Sequence, residues 1–263
     1  MSNRFHTLRS RKIGLALSGG GVRALAHIGV IKALSEAGIR PVVVAGVSAG
    51  SIVGAGLAAG MDWRELAYMA NSVFWPSLLQ GTRLESFCVQ NLPHTFGQLY
   101  LPFAAVATAM PRRQAVTMTE GDMASAISAS CAIPYLRRPV VRNGERLVDG
   151  GVACVMPSVT CRELDADFIV ASDVWEFSSL LRAMGCQPTH PRHSRFYPSH
   201  YLRAVQHTDL LIHSTVPAAG YLPGAAAIER MIAAGEAAAQ CALKRLLASD
   251  EQGRNSVTAD YAR

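Results

Sequence analysis

The feature that most constrains this chain is a unit that occurs twice in its first sixty residues: an apolar run, a glycine-rich turn and a helix-like pattern. Lys12 to Ser18 (KIGLALS) closes on Gly19-Gly20-Gly21, and Pro41 to Ala45 runs into Gly46-Val47-Ser48-Ala49-Gly50. Between them Leu25, Ile28, Ile31 and Leu34 recur at three-residue steps from Ala24 to Glu36. The pattern stops at Gly38 and predicts a helix with one buried face. A second helix is predicted over Ser51 to Ala59, ended by Gly60. Runs this uniformly apolar belong to strands covered on both faces, and their alternation with helices predicts a mostly parallel sheet. The fold class is α/β.

Downstream the pattern changes. Asp62 to Ser72 continues as helix, but Val73 to Leu101 is aromatic and punctuated by Pro76, Gly81, Pro93 and Gly97, which predicts an irregular cap over a site. Phe103 to Ala109 and Ala115 to Met118 read as strands, and Asp122 caps a small-residue helix through Ser130. Asn143-Gly144 between Arg138–Arg142 and Glu145–Asp149 is a hairpin signal, which leaves Asp149 at a strand end before Gly150-Gly151. A helix over Pro157 to Leu164, a strand over Asp167 to Asp173, a loop over Glu176 to Ser199 and helices near His200–His213 and Ala225–Leu247 complete the reading. Half of the 263 residues are hydrophobic and 17% are charged, enough to bury one core. The expected organisation is a flexible leader over 1–11, a single domain over 12–248 with its cap at 73–101, and a disordered tail over 249–263.

G-x-S-x-G between a strand and a helix is the pattern of a nucleophile elbow. The turn is so sharp that its serine is strained and its neighbours must lack bulk, which Gly46 and Gly50 supply around Ser48. The following helix aims its free N–H groups at that hydroxyl. Gly19-Gly20-Gly21-Val22-Arg23, at the other strand-to-helix turn, lets backbone N–H groups converge on an anion, either a phosphate or an oxyanion. Gly19-x-Gly21-x-x-Ala24 also satisfies the dinucleotide fingerprint. That fingerprint wants an acidic residue at the end of the second strand, where this chain has Val44, Ala45 and Gly46. The sequence argues against NAD.

A serine nucleophile needs a base. Eight histidines are present, so composition alone leaves a triad open; His190, His193 and His200 fall in or beside the irregular loop, and His207 and His213 fall on a helical pattern. Six scattered cysteines without a C-x-x-C pair fit a reducing, cytoplasmic setting, and no metal-ligand spacing appears. No cofactor is expected. The formal charge of +6 favours an anionic surface, while its spread-out arginines make no nucleic-acid patch. No run of 18 apolar residues appears, so a spanning helix is not expected and any membrane contact would be peripheral.

Taken in order, GGGVR, GVSAG and DGG at Asp149 to Gly151, supported by AHIGVIKAL and AISASCAIPYLRRPVV, resemble the patatin-like phospholipase family over roughly Lys12 to Asp173. The resemblance implies a three-layer α/β/α sandwich and a Ser/Asp dyad in which Ser48 attacks an ester carbonyl and Asp149 is the base. It also implies an oxyanion hole from Gly20 and Gly21, a loop shaped by Gly19, and positive charge near the substrate from Arg23. Ala24 departs from the glycine common there. The implied substrates are acyl esters of phospholipids, lysophospholipids or neutral lipids, and the aromatic stretch with Phe74, Trp75, Phe96, Tyr100 and Phe103 would suit an acyl chain. A thioesterase or acyltransferase would use the same elbow, and a regulatory protein without turnover would keep the same fold. His27, in AHIGV, is read as a packing residue.

Overall fold

The computed structural model describes residues 8, 10–175, 198–216 and 224–260, and in it the two apolar runs lie side by side as the parallel strands β1 (Ile13–Leu17) and β2 (Val43–Val47). A tight 3-10 turn, Gly21–Leu25, leads from β1 into α1 (Ala26–Glu36), and α2 (Ala49–Ala58) starts directly after β2. Then come α3 (Trp63–Asn71), α4 (Arg83–Asn91), β3 (Phe103–Met110), β4 (Gln114–Met118), α5 (Met123–Ser130), the hairpin β5 (Val140–Arg142) and β6 (Glu145–Asp149), α6 (Ser158–Glu163), β7 (Phe168–Asp173), α7 (Ser199–Gln206), β8 (Leu210–His213) and α8 (Ala225–Asp260). The strands form one sheet in the order β5-β6-β3-β2-β1-β7-β8, with β4 also paired to β3.

The sheet is covered on both faces, as the continuous apolar runs require. Ile13, Leu15 and Leu17 point into a large core shared with α1, α2 and the segment after α3. Ala16, Val43 and Ala45 point the other way, toward Cys161, Tyr201 and Val205 of α6 and α7. Three layers result. The second face is tight: a side chain at Gly14 would meet the Cβ atoms of Ala166 and Cys161 at 2.7 and 2.8 Å.

One edge of β3 decides the geometry of the site. β4 pairs along Ala105 to Ala109, which occupies one side of β3. The other side is shared end to end: β2 runs parallel along Phe103 to Val106, and β6 runs antiparallel along Ala107 to Met110. Val47 faces Val106 and Asp149 faces Ala107, so the residue that leaves β2 meets the residue that ends β6.

The last helix packs against α1 through two glycines. A Cβ at Gly29 would lie 1.8 Å from the carbonyl oxygen of Ile232, and one at Gly235 would lie 1.8 Å from that of Ala26. Lys32 and Glu236 close the seam with a 2.8 Å ion pair.

Three expectations change. The helix expected near His200 to His213 is α7 followed by an edge strand, because β7 offers free pairing positions to Leu210–His213. The stretch from Val73 to Leu101 contains α4 and two 3-10 turns, and its Trp75, Leu78, Leu84, Phe87 and Phe96 are buried in the main core. Helix α8 runs on to Asp260, past the start of the expected tail. Most of the expected leader and of the loop after Glu176, together with residues 261–263, lie outside the described residues.

Candidate active site

Ser48 sits between β2 and α2 with φ 51° and ψ −131°, a conformation that a side chain rarely adopts. The glycines on either side make the turn possible. A Cβ at Gly46 would lie 2.5 Å from the carbonyl oxygen of Gly50, and one at Gly50 would lie 2.5 Å from that of Ser18. The backbone of Ser48 is tied down on both sides: its N–H donates to Ser130 Oγ at 2.8 Å, and its carbonyl accepts from Ser51 Oγ at 2.6 Å. Ser130 in turn donates to the carbonyl of Val106 at 2.7 Å. That carbonyl is where direct pairing along β3 passes from β2 to β6, and the Ser130 hydroxyl bridges the junction.

The Ser48 hydroxyl donates to Asp149 Oδ2 at 2.7 Å, and both residues are buried. Asp149 Oδ1 accepts the N–H of Gly151 at 2.8 Å, and the Asp149 N–H donates to the carbonyl of Ala132 at 2.9 Å. Gly150 has no room for a side chain, since a Cβ would lie 2.2 Å from the Val106 carbonyl oxygen. Burial pushes the Asp149 carboxyl up to about 6, against the smaller opposing pull of its bonds from Ser48 and Gly151. A carboxylate held near neutrality in this way is a stronger proton acceptor than an exposed one.

The glycine loop lies against the serine: a Cβ built on Gly19 would contact Ser48 Cβ at 3.5 Å. The three glycines differ in what their N–H groups do. That of Gly19 donates to the carbonyl of Val155 at 2.9 Å, whereas among the described residues no acceptor takes the N–H of Gly20 or Gly21. Gly20 must lack a side chain because Val174 would stand 2.6 Å from it, and Gly21 has φ 57°. Arg23 lies in the 3-10 turn, half-buried.

Two contributors escaped the sequence reading. Ser130, 82 positions from Ser48, belongs to a run of small residues that nothing local sets apart. His27, read there as packing, is fully buried and bonded at both ring nitrogens. A carbonyl can only accept, so Nε2–H donates to the carbonyl of Ser18 at 2.9 Å, and Nδ1 accepts from Ser172 Oγ at 2.7 Å. Burial lowers its pKa to about 4, so it is neutral at pH 7. Ser18 Oγ accepts the N–H of Val174 at 2.9 Å, and Ser18 N–H donates to the carbonyl of Ser172 at 3.0 Å. The residue before the glycine loop is thus held from three directions. Its short sequence separation from Gly19-Gly21 was the available signal.

Among the described residues no histidine hydrogen-bonds Ser48. His213 Nδ1 lies 3.0 Å from Asp173 Oδ2, which also accepts from Tyr201 at 2.6 Å. His190 and His193 lie outside the described residues. Of the aromatic residues considered for an acyl chain, Trp75, Phe96 and Phe103 are core, while Phe74 and Tyr100 are exposed.

A family model described as patatin-like phospholipase matches residues 15–157. An NTE family protein of Mycobacterium tuberculosis is 36% identical over 177 residues, covering 62% of this chain and 49% of that protein. The lysophospholipase nte1 of Emericella nidulans is 32% identical over 197 residues, covering 65% of this chain and 12% of that protein. The chain therefore spans about half the length, or less, of these curated relatives. Among solved structures, VipD from Legionella pneumophila superposes with a TM-score of 0.63 at 15% identity, covering 89% of this chain and 67% of that one. That likeness concerns the fold.

Proposed function

This chain belongs to the patatin-like phospholipase family, and from that premise we propose that it hydrolyses acyl esters of lipids with Ser48 as nucleophile and Asp149 as base. The observation that carries the reading is the direct 2.7 Å bond from the Ser48 hydroxyl to the Asp149 carboxylate, made by a serine in a strained backbone conformation. As Ser48 Oγ attacks the carbonyl carbon, its proton passes to Asp149 Oδ2. The carbonyl oxygen becomes an oxyanion, and the N–H groups of Gly20 and Gly21 are the donors offered to it. Collapse breaks the ester bond. The leaving alkoxide takes the proton from Asp149, and the acyl group stays on Ser48. Water then attacks the acyl-enzyme, with Asp149 accepting its proton, and the fatty acid leaves as Ser48 recovers its hydrogen. Arg23 is assigned positive charge near the substrate head group, and Gly19, whose N–H is engaged by Val155, shapes the loop.

The substrate class is a phospholipid, lysophospholipid or other lipid ester, and the naming of one relative as a lysophospholipase supports it. The reaction as written uses no cofactor or metal. Contact with an anionic bilayer at its cytoplasmic face completes the proposal, supported by the formal charge of +6. No helix of the described residues is long and apolar enough to cross a membrane. The test is labelling with a fluorophosphonate probe and mapping of the modified residue: adduct on Ser48, lost in Ser48→Ala, is the expected result. Adduct on another serine, or none on a folded protein, overturns the assignment.

A further inference from the structure

Among the described residues the two most exposed large apolar side chains, Tyr135 and Tyr100, stand at different distances from the serine. Helix α2 starts at Ser48 and runs about 15 Å away from it. Tyr100, 82% exposed, donates its N–H to the carbonyl of Ala58 at the far end of that helix, so it lies at the end of the sheet remote from the site. Tyr135 lies at the near end. It follows by three residues Ala132, whose carbonyl holds the Asp149 N–H, and three residues of chain reach at most about 11 Å. Its ring is fully exposed, Leu136 beside it is 60% exposed, and Arg138 next to that is also exposed.

This tip is held out by structure. Tyr135 has φ 69°, a strained value for an aromatic residue. Two residues on, the side chain of Arg137 is buried and bolted: it donates to the carbonyl of Leu78 at 2.6 Å, to Ser128 Oγ at 2.9 Å, and pairs with Glu85 at 3.0 Å. The same guanidinium therefore ties the tip to the segment that carries exposed Phe74, four residues before Leu78, and exposed Arg83, two residues before Glu85. An exposed apolar pair on a fixed base, with exposed Arg138 next in sequence and exposed Arg83 on the segment to which it is tied, has the composition of an interfacial anchor.

We propose that Tyr135 and Leu136 form the membrane-docking tip of this protein, inserting into the head-group region of an anionic phospholipid bilayer while Arg138 and Arg83 face its lipid phosphates. The proposal rests on the lipid-ester reading above and places the membrane contact at the turn after α5 rather than in the aromatic stretch 73–101, most of whose large apolar side chains are core. Insertion would set the Ser48 end of the sheet against the lipid surface.

The test is sedimentation of the full chain with vesicles of phosphatidylcholine alone or with phosphatidylglycerol, for the parent, Tyr135→Ser/Leu136→Ser and Tyr100→Ser. Hydrolysis of vesicle phospholipid and of a soluble p-nitrophenyl ester is measured alongside. The parent is expected to bind the anionic vesicles preferentially. The double variant is expected to lose binding and vesicle hydrolysis on the order of tenfold, with its soluble ester rate and melting temperature unchanged, while Tyr100→Ser behaves as the parent. Equal binding by parent and double variant overturns the proposal, as does a parent that binds neither vesicle. Binding is read without turnover, so a chain that docks through the tip yet cleaves no ester would sink the functional reading and leave this one standing.

Discussion

Ser48 and Asp149 meet because β2 and β6, running in opposite directions, abut on one edge of β3: Val47 faces Val106, Asp149 faces Ala107, and the Ser48 hydroxyl closes the gap with a 2.7 Å bond. A carboxylate delivered by a neighbouring strand end needs no imidazole to reach the hydroxyl. The Ser130 hydroxyl, between the Ser48 N–H and the Val106 carbonyl, fixes the same junction from behind.

Removing the hydroxyl should remove the chemistry and little else. Ser48→Ala is expected to lower the turnover of short p-nitrophenyl esters by about a thousandfold or more while circular dichroism stays that of the parent. A folded Ser48→Ala protein with substantial turnover contradicts the nucleophile assignment.

If Asp149 takes the proton itself, Asp149→Asn should be nearly as damaging as Ser48→Ala. Turnover in the parent should rise with pH through a midpoint near about 6, because the base works only as the carboxylate and burial has pushed it up to that value. His200→Ala, His207→Ala and His213→Ala, made singly, should keep most of the rate. A histidine whose loss abolishes turnover in a folded protein replaces the dyad with a triad.

The same burial predicts a stability effect of definite sign. Asp149 has an ordinary pKa of 3.8 and a folded value of about 6, so between these values the folded protein keeps a proton that the unfolded chain releases. Its contribution falls as pH rises through that window, and the penalty, on the order of 3 kcal/mol, is complete above about 6. His27 runs the opposite way: lowered from 6.5 to about 4, it favours the folded state above 6.5 and loses that contribution as pH falls toward 4. The two offset each other in the parent. Asp149→Asn should therefore melt higher than the parent at pH 7.5 and lose stability more steeply on acidification, which thermal melts at pH 7.5, 5.5 and 4.5 would read.

His27 should matter to rate through Ser18 and the glycine loop. His27→Leu, which frees the Ser18 carbonyl, is expected to lower kcat roughly ten- to a hundredfold with KM little changed, since an oxyanion site acts on the transition state. His27→Gln can still donate and accept and should recover part of that loss. Equal kcat in His27→Leu and the parent would reduce the residue to packing.

The seam between α1 and α8 admits no methyl group. Gly29→Ala and Gly235→Ala each place Cβ 1.8 Å from a backbone oxygen, so the helices must separate, at about 3 kcal/mol or more. Differential scanning calorimetry should show a lowered melting temperature for both. An unchanged melting temperature would mean that the helices are not in this contact.

What the sequence made legible was local. The strain at Ser48 was readable from Gly46 and Gly50, and Asn143-Gly144 forms its predicted turn with φ 50° and 77°. The helix read over Asp62 to Ser72 is there as α3, with Asp62 as its cap, joined to Glu65 by reciprocal bonds. The failures needed distant partners. Leu210–His213 is a strand only because β7 lies open beside it, with Asp209 accepting the N–H of Ile169 to fix the register. Trp75 and Phe96 looked like a lining for substrate and are core because the segment folds back on α5, a fact carried by Arg137 and Glu85. The roles of Ser130 and His27 depend on what stands opposite them in space.

The seam of the first and last helices also has a consequence in time. Lys32 and Glu236 are 204 positions apart, and the helix they fasten follows the glycine loop directly. Closing so large a loop is slow compared with forming the local strand–helix units. On dilution from denaturant, most helical signal should return before esterase activity does, and the lag between the two should lengthen in Gly235→Ala.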